Sequence, residues 1–221
     1  MIDPQQAVAN LVLDHSECAE VLQRHRIDYC CHGETTLAAA CRERRLDVGV
    51  VVGELERAIH ERRGDGEDAR ALSSAALIAL ILSRYHAPLR KTLPFVRTLA
   101  AKVARVHGEH NPRLIDLGQI VAELAETLEA HLDDEEATLF PTLTAAEPDP
   151  RSVAGLSKTM RDDHEVVGEL LGRLRASAED YAVPDWACNS YRTLFRELGQ
   201  LETDVLRHVH LENHVLLPRF A

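Results

Sequence analysis

Apolar residues recur at three- and four-residue steps along most of this chain, and strict alternation never persists long enough for a strand. Four long amphipathic stretches dominate the C-terminal two-thirds. The first opens at Ser73-Ser74, good N-cap residues, and runs to about Val106, with Gly108 and Pro112 marking its end. The second spans about Arg113 to Leu143 and stops before Glu147-Pro148-Asp149-Pro150. The third covers about Arg151 to Tyr181 and is ended by Pro184, and the fourth runs from near Asp185 to Leu217. Helices of roughly thirty residues joined by short loops predict an all-α fold, an antiparallel up-down-up-down four-helix bundle. Pro94, Pro141 and Pro218 fall inside or near helix ends and are predicted to kink or terminate them.

Ahead of the bundle the pattern is shorter, with helical segments at 15–25, 34–45 and 47–62. The polar stretch Glu61 to Arg70, with two glycines and no apolar period, reads as a linker. The chain therefore divides into a small helical unit at 1–62, a linker at 63–72 and the bundle at 73–221. About 60 residues make a marginal core, so the small unit is expected to lean on its neighbour or on a second subunit.

Composition narrows the function classes. Only 4% of the 221 residues are aromatic and the formal net charge is −11, which speaks against a nucleic-acid partner. No apolar run approaches the ~18 residues of a membrane span. The opening residues Met1 to Gln6 lack the pattern of an export signal, and five cysteines do not suggest a full disulfide framework, so a soluble cytoplasmic chain is expected.

The chemistry lies in a repeated motif. His131 to Pro141 and His208 to Pro218 both read His-x-x-x-Glu-x-x-x-Leu-x-Pro. Residues four apart share a helix face, so each copy aims an imidazole and a carboxylate at one point. Counting from the predicted turns at 1.5 Å per residue puts His86, His131, His164 and His208 on one level to within ~2–5 Å, one per helix. Glu135 and Glu212 lie one turn away. Such a set suits two iron ions, each with two histidines and both carboxylates bridging, and other divalent metals accept the same donors. Six polar or ionisable groups inside a bundle are costly unless coordinated, which favours metal over ordinary core or surface positions. His107 falls ~31 Å along the helix from His86 and stays outside this set; it is kept as a second-tier position. Histidine before glutamate at a four-residue step differs from the Glu-x-x-His of ferritin-like bundles and resembles the hemerythrin-like superfamily.

Asp28-Tyr29-Cys30-Cys31-His32 places adjacent cysteines before an expected helix start, where a thiol pKa is lowered, so Cys30 and Cys31 are candidate reactive thiolates. Cys18, Cys41 and Cys188 read as ordinary positions. The Asp-Tyr-Cys-Cys segment, followed by Arg84-Tyr85-His86, Asp163-His164-Glu165 and Leu211-Glu212-Asn213, resembles the iron–sulfur cluster repair di-iron proteins of the RIC or YtfE/ScdA family. Family members often carry glycine after the cysteine pair, where this chain has His32, a further potential ligand. They usually keep a histidine at the His107 position. The resemblance implies a cytoplasmic, often dimeric protein with an oxo- and carboxylate-bridged di-iron centre. Its partners would be damaged or apo iron–sulfur proteins, with nitric oxide or dioxygen as small ligands. The implied function is repair of clusters after nitric oxide or oxidative stress by iron donation, with Cys30 and Cys31 in a redox or iron-transfer role. Nitric oxide or peroxide reduction at the same centre is the alternative, and a dioxygen carrier or sensor is a third.

Overall fold

The computed structural model describes residues 2–61 and 68–220, and among the described residues there are ten α-helices. Half of the expected linker, residues 63–67, falls outside the described residues. What is described of it, Ala69–Ala71, forms a short 3-10 turn capped by Asp68. Among the described residues the one β-type pairing is an isolated bridge between Ala7 and Thr36. No helix among them is long and apolar enough to cross a membrane.

Two compact units are present. One comprises residues 1–77 and 206–219, the other 78–205. The first contains α1 (Val8–Asp14), α2 (Cys18–Arg24), α3 (Leu37–Glu43) and α4 (Val48–Glu61). The sequence pattern missed α1, whose Val8, Ala9, Leu11 and Val12 are all buried. Both α2 and α3 end in the same way. Arg26 and Arg45 adopt left-handed backbone (φ 55° and 57°). The following amides, of Ile27 and Leu46, reach back to the Leu22 and Cys41 carbonyls at 2.9 and 2.8 Å. These are Schellman caps built on arginine rather than glycine. An aspartate comes soon after each cap. Asp47 accepts the amides of Gly49 and Val50 at 2.8 and 3.2 Å and starts α4. Asp28 accepts those of Cys30 and Cys31, both at 2.9 Å, yet no helix forms until Leu37.

The second unit is the bundle. Its long rods are α6 (Ala87–His107), α7 (Arg113–Asp134), α9 (Pro150–Ser177) and α10 (Asn189–Leu211), with α5 (Ser74–Ile81) leading into the first and α8 (Phe140–Leu143) ending the second. The last turns of α10 belong to the first unit. Leu89, Leu93, Val96, Ala100 and Val103 of α6 recur at three- and four-residue steps and are buried, as are Leu114, Leu117, Val121, Leu124 and Leu128 of α7. α9 starts where the sequence puts it: Pro150 occupies the first turn, and Asp149 caps the amides of Arg151 and Ser152. It ends at Ser177 rather than Tyr181, because Glu179, Asp180 and Tyr181 all take positive φ. A bidentate pair joins α9 to α10, Arg175 Nε and Nη2 donating to Glu202 at 2.9 and 2.6 Å.

Three rods are not α-helical throughout. Leu82–His86, Glu135–Leu139 and Glu212–Leu216 are single turns of π-helix. Two residues beyond each comes a proline: Pro88, Pro141 and Pro218. A proline lacks the amide that would bond the carbonyl four residues back, and its ring collides with that carbonyl. Here that carbonyl belongs to Arg84, Ala137 or His214, the middle residue of each π turn, and the widened turn takes up the misfit. Pro141 therefore does not terminate its helix; it comes just after a bulge, and the helix continues to Leu143. Pro94 sits inside α6 without a π turn.

Candidate metal centre

Each π turn carries a candidate metal-donor residue at one of its ends. His86 closes the first, while Glu135 and Glu212 open the second and third. Such bulges rotate the residues on either side of them relative to an unbroken helix, and they concentrate at functional sites.

In the bundle unit three imidazoles surround one carboxylate. His86 Nε2 lies 3.3 Å from Glu135 Oε2. His131 Nε2 and His164 Nε2 lie 3.5 and 4.0 Å from Oε1. The donor atoms of His131, Glu135 and His164 are all within 4.8 Å of one another. None of these four residues is more than 4% exposed. The His131 and His164 rings meet edge to face at 4.9 Å, and Phe140 covers His86 at 5.6 Å. In the first unit the second copy of the motif repeats the pairing, His208 Nε2 lying 3.0 Å from Glu212 Oε2, with both residues at 0% exposure. A carboxylate in so dry a place needs a counter-charge. Imidazole nitrogens converging on carboxylate oxygens are the donor chemistry that a borderline divalent cation accepts, so the residues present fit a metal.

The ring nitrogen of His86 that faces away from Glu135 is also held. Its Nδ1 hydrogen-bonds Glu136 Oε1 at 3.0 Å. Arg90 donates to the same oxygen at 3.1 Å and to Asp133 at 2.7 Å. A carboxylate on Nδ1 fixes the tautomer and leaves Nε2 as the donor nitrogen. The sequence shows Glu136 only as a neighbour of Glu135; the signal for Arg90 is its place four residues after His86, on the same face.

The expected second-tier residues lie elsewhere. His107 Nε2 is 3.1 Å from Cys188 Sγ, and its ring sits near Trp186 and Tyr191. His32, mostly exposed, bonds Asp28 Oδ2 through Nδ1 at 2.8 Å. Cys30 is buried and Cys31 partly exposed, with Sγ atoms 3.6 Å apart. They precede α3 by several residues and do not sit at its N-terminus. Contact with Cys31, burial and Asp28 push the Cys30 thiol well up, opposite to the lowering expected of a helix start. His210 and His214 stand outside the candidate centre and hold backbone carbonyls. His210 Nδ1 hydrogen-bonds the Tyr29 carbonyl at 3.0 Å, while His214 Nε2 and Asn213 Nδ2 hold the Cys30 carbonyl at 2.8 and 3.0 Å. Burial drives His210 down to about 4 and lowers His214, so both stay neutral in this role.

Comparison with known proteins agrees with this geometry. The Hemerythrin HHE cation binding domain matches residues 77–220, and the ScdA_N domain, described as of unknown function (DUF542), matches 4–59. The chain is 30% identical to the iron-sulfur cluster repair protein ScdA of Staphylococcus haemolyticus over the full length of both. It is 31% identical to the iron-sulfur cluster repair protein YtfE of Yersinia pseudotuberculosis and to that of Yersinia pestis, over 97% of this chain and 96% of each relative. With an ScdA_N domain followed by a cation-binding hemerythrin domain, the chain belongs to the ScdA/YtfE family of iron–sulfur cluster repair proteins.

Proposed function

We propose that this protein repairs iron–sulfur clusters damaged by nitric oxide or oxidative stress, donating iron from a di-iron centre. The observation that carries the reading is the buried Glu135 carboxylate with three imidazole nitrogens around it. In the proposed centre His86, His131, His164 and His208 would hold two irons together with the carboxylates of Glu135 and Glu212. These six residues all lie within the stretch that matches the hemerythrin domain. The irons would supply redox capacity and a labile cargo. Around them the chain's own groups have separate tasks. Glu136 keeps His86 in the tautomer whose Nε2 donates. The apolar shell excludes water from the carboxylates, and Arg90 balances the charge of Glu136 and Asp133 at the rim.

Residues 73–221 form the metal-binding domain in this reading and 1–62 the cysteine-bearing one, joined through 63–72. Cys30 and Cys31 take the redox or iron-transfer role, and His107 and His32 remain second-tier positions. A cytoplasmic homodimer, meeting apo or damaged iron–sulfur enzymes and binding nitric oxide or dioxygen as small ligands, completes it.

The test is metal content and optical spectrum of the purified protein, followed by reactivation of an apo iron–sulfur enzyme. Two irons per chain with an oxo-to-iron charge-transfer band, and recovery of the apo-enzyme's activity, are expected. Zinc alone, or no metal, overturns the centre. Steady nitric oxide turnover with an electron donor, without reactivation, favours the reductase instead.

A further inference from the structure

We propose that Asp28, Cys30 and Cys31 form a second metal site, for a thiophilic divalent cation of the zinc class. Their donor atoms lie within 4.8 Å of one another. The inference goes beyond the di-iron reading and does not depend on it.

The spacing of the sulfurs carries the argument. Two zinc–sulfur bonds of ~2.3 Å at a tetrahedral angle set their sulfurs ~3.8 Å apart, and the thiols here stand at 3.6 Å. A zinc–oxygen bond of ~2.1 Å beside a zinc–sulfur bond sets sulfur and oxygen ~3.6 Å apart, and Cys30 Sγ lies 3.3 Å from Asp28 Oδ1. Three donors are thus already arranged close to one face of a tetrahedron. Asp28 and Cys31 are partly exposed, so water or an exchanging ligand would complete the fourth position.

A simple capping turn accounts for only part of this. Asp47 makes the same pair of amide bonds, and there the chain runs on through Val48-Gly49-Val50 into a helix. After Asp28 the same turn delivers two cysteines whose sulfurs converge, and the helix never forms. The arrangement is also held rigidly. Three side chains, His210, Asn213 and His214, fix the carbonyls of Tyr29 and Cys30, so ordering the site costs little on binding. His32 occupies the second oxygen of Asp28, orienting the carboxylate with its other oxygen toward the thiols.

Binding needs no electron transfer. Each thiol releases its proton to solvent as its sulfur bonds the cation, so one ion displaces two protons. The cation takes the place of the thiol proton between Cys30 Sγ and Asp28 Oδ1.

The test titrates the full-length protein, stripped of metal, with cadmium ion. One equivalent should bind with a sulfur-to-cadmium charge-transfer band, and zinc should compete it away. The affinity should rise about 100-fold per pH unit while both thiols are protonated, because two protons leave. Cys30→Ser with Cys31→Ser should abolish the band. Cys31→Ser alone, at the less buried thiol, should lower the band by about half and weaken binding about tenfold or more, which serves if the double variant does not fold. Asp28→Asn should weaken binding about tenfold, at the low end of what a lost ligand or its support costs. Cys188→Ser should leave the band intact, and so should Glu135→Ala, which strikes the proposed di-iron centre and separates failure of that reading from failure of this one. Cadmium uptake without the band, or a band that survives loss of Cys30 and Cys31, overturns the proposal.

Discussion

Glu136 shows what a single residue can do from just outside a metal shell. Of the candidate centre it touches only the far nitrogen of His86, yet that contact selects which nitrogen is the donor. Glu136→Ala is expected to weaken metal retention by about 10- to 100-fold while helix content stays unchanged, measured by metal analysis after dialysis against a chelator. Retention equal to the parent would show that the tautomer is set by something else. A different residue-scale prediction concerns Glu202. Its removal leaves the Arg175 guanidinium largely buried without its bidentate partner, and Glu202→Ala should lower unfolding stability by about 3–5 kcal/mol in a urea titration. The histidine and glutamate positions of the candidate centre were legible because the four-residue step, repeated with the same leucine and proline offsets, has few readings other than a shared helix face. Glu136, Arg90 and Asp133 were not, since charged residues at a helix rim are common and only distance separates a working one from its neighbours.

At the scale of the element, the four rods could be read from their apolar period, from the Asp149-Pro150 start of α9, and from the glycine and prolines between them. The three π turns could not, because the period barely registers one extra residue. Their trace in the sequence is the proline two residues past each. This yields a prediction in which stability and binding part company. Pro141→Ala restores a donor amide and a strong helix former, so the metal-free protein should be at least as resistant to urea as the parent. Glu135 already bonds back to the His131 carbonyl as in an α-helix, so relaxation of Glu135–Leu139 would instead turn Phe140, the ring over His86, and metal affinity should fall by tenfold or more. An unchanged affinity, read by competition with a chromophoric chelator, would remove the π turn from the account of the site.

For the whole molecule, the metal is expected to be part of the fold's stability. A ligand held at 1,000 times its dissociation constant adds about 4 kcal/mol, so removing it should lower the urea midpoint while far-ultraviolet circular dichroism still reports a helical protein. Least legible from sequence was the composition of the first unit. Hydrogen bonds from residues 210, 213 and 214 to carbonyls 29 and 30 span more than 180 positions, and no local pattern announces them. Arg219 adds to them by donating to the Leu72 carbonyl at 2.7 Å. The head and tail of the chain are thus stitched together in one folding unit. The small helical unit leans on a stretch far beyond the expected linker, residues 206–219 folding with residues 1–77. A fragment cut after residue 62 would lose the fasteners of its thiol loop, and one begun at residue 73 would leave the residues around Glu212 facing water on the side they now lend to Tyr29 and Cys30.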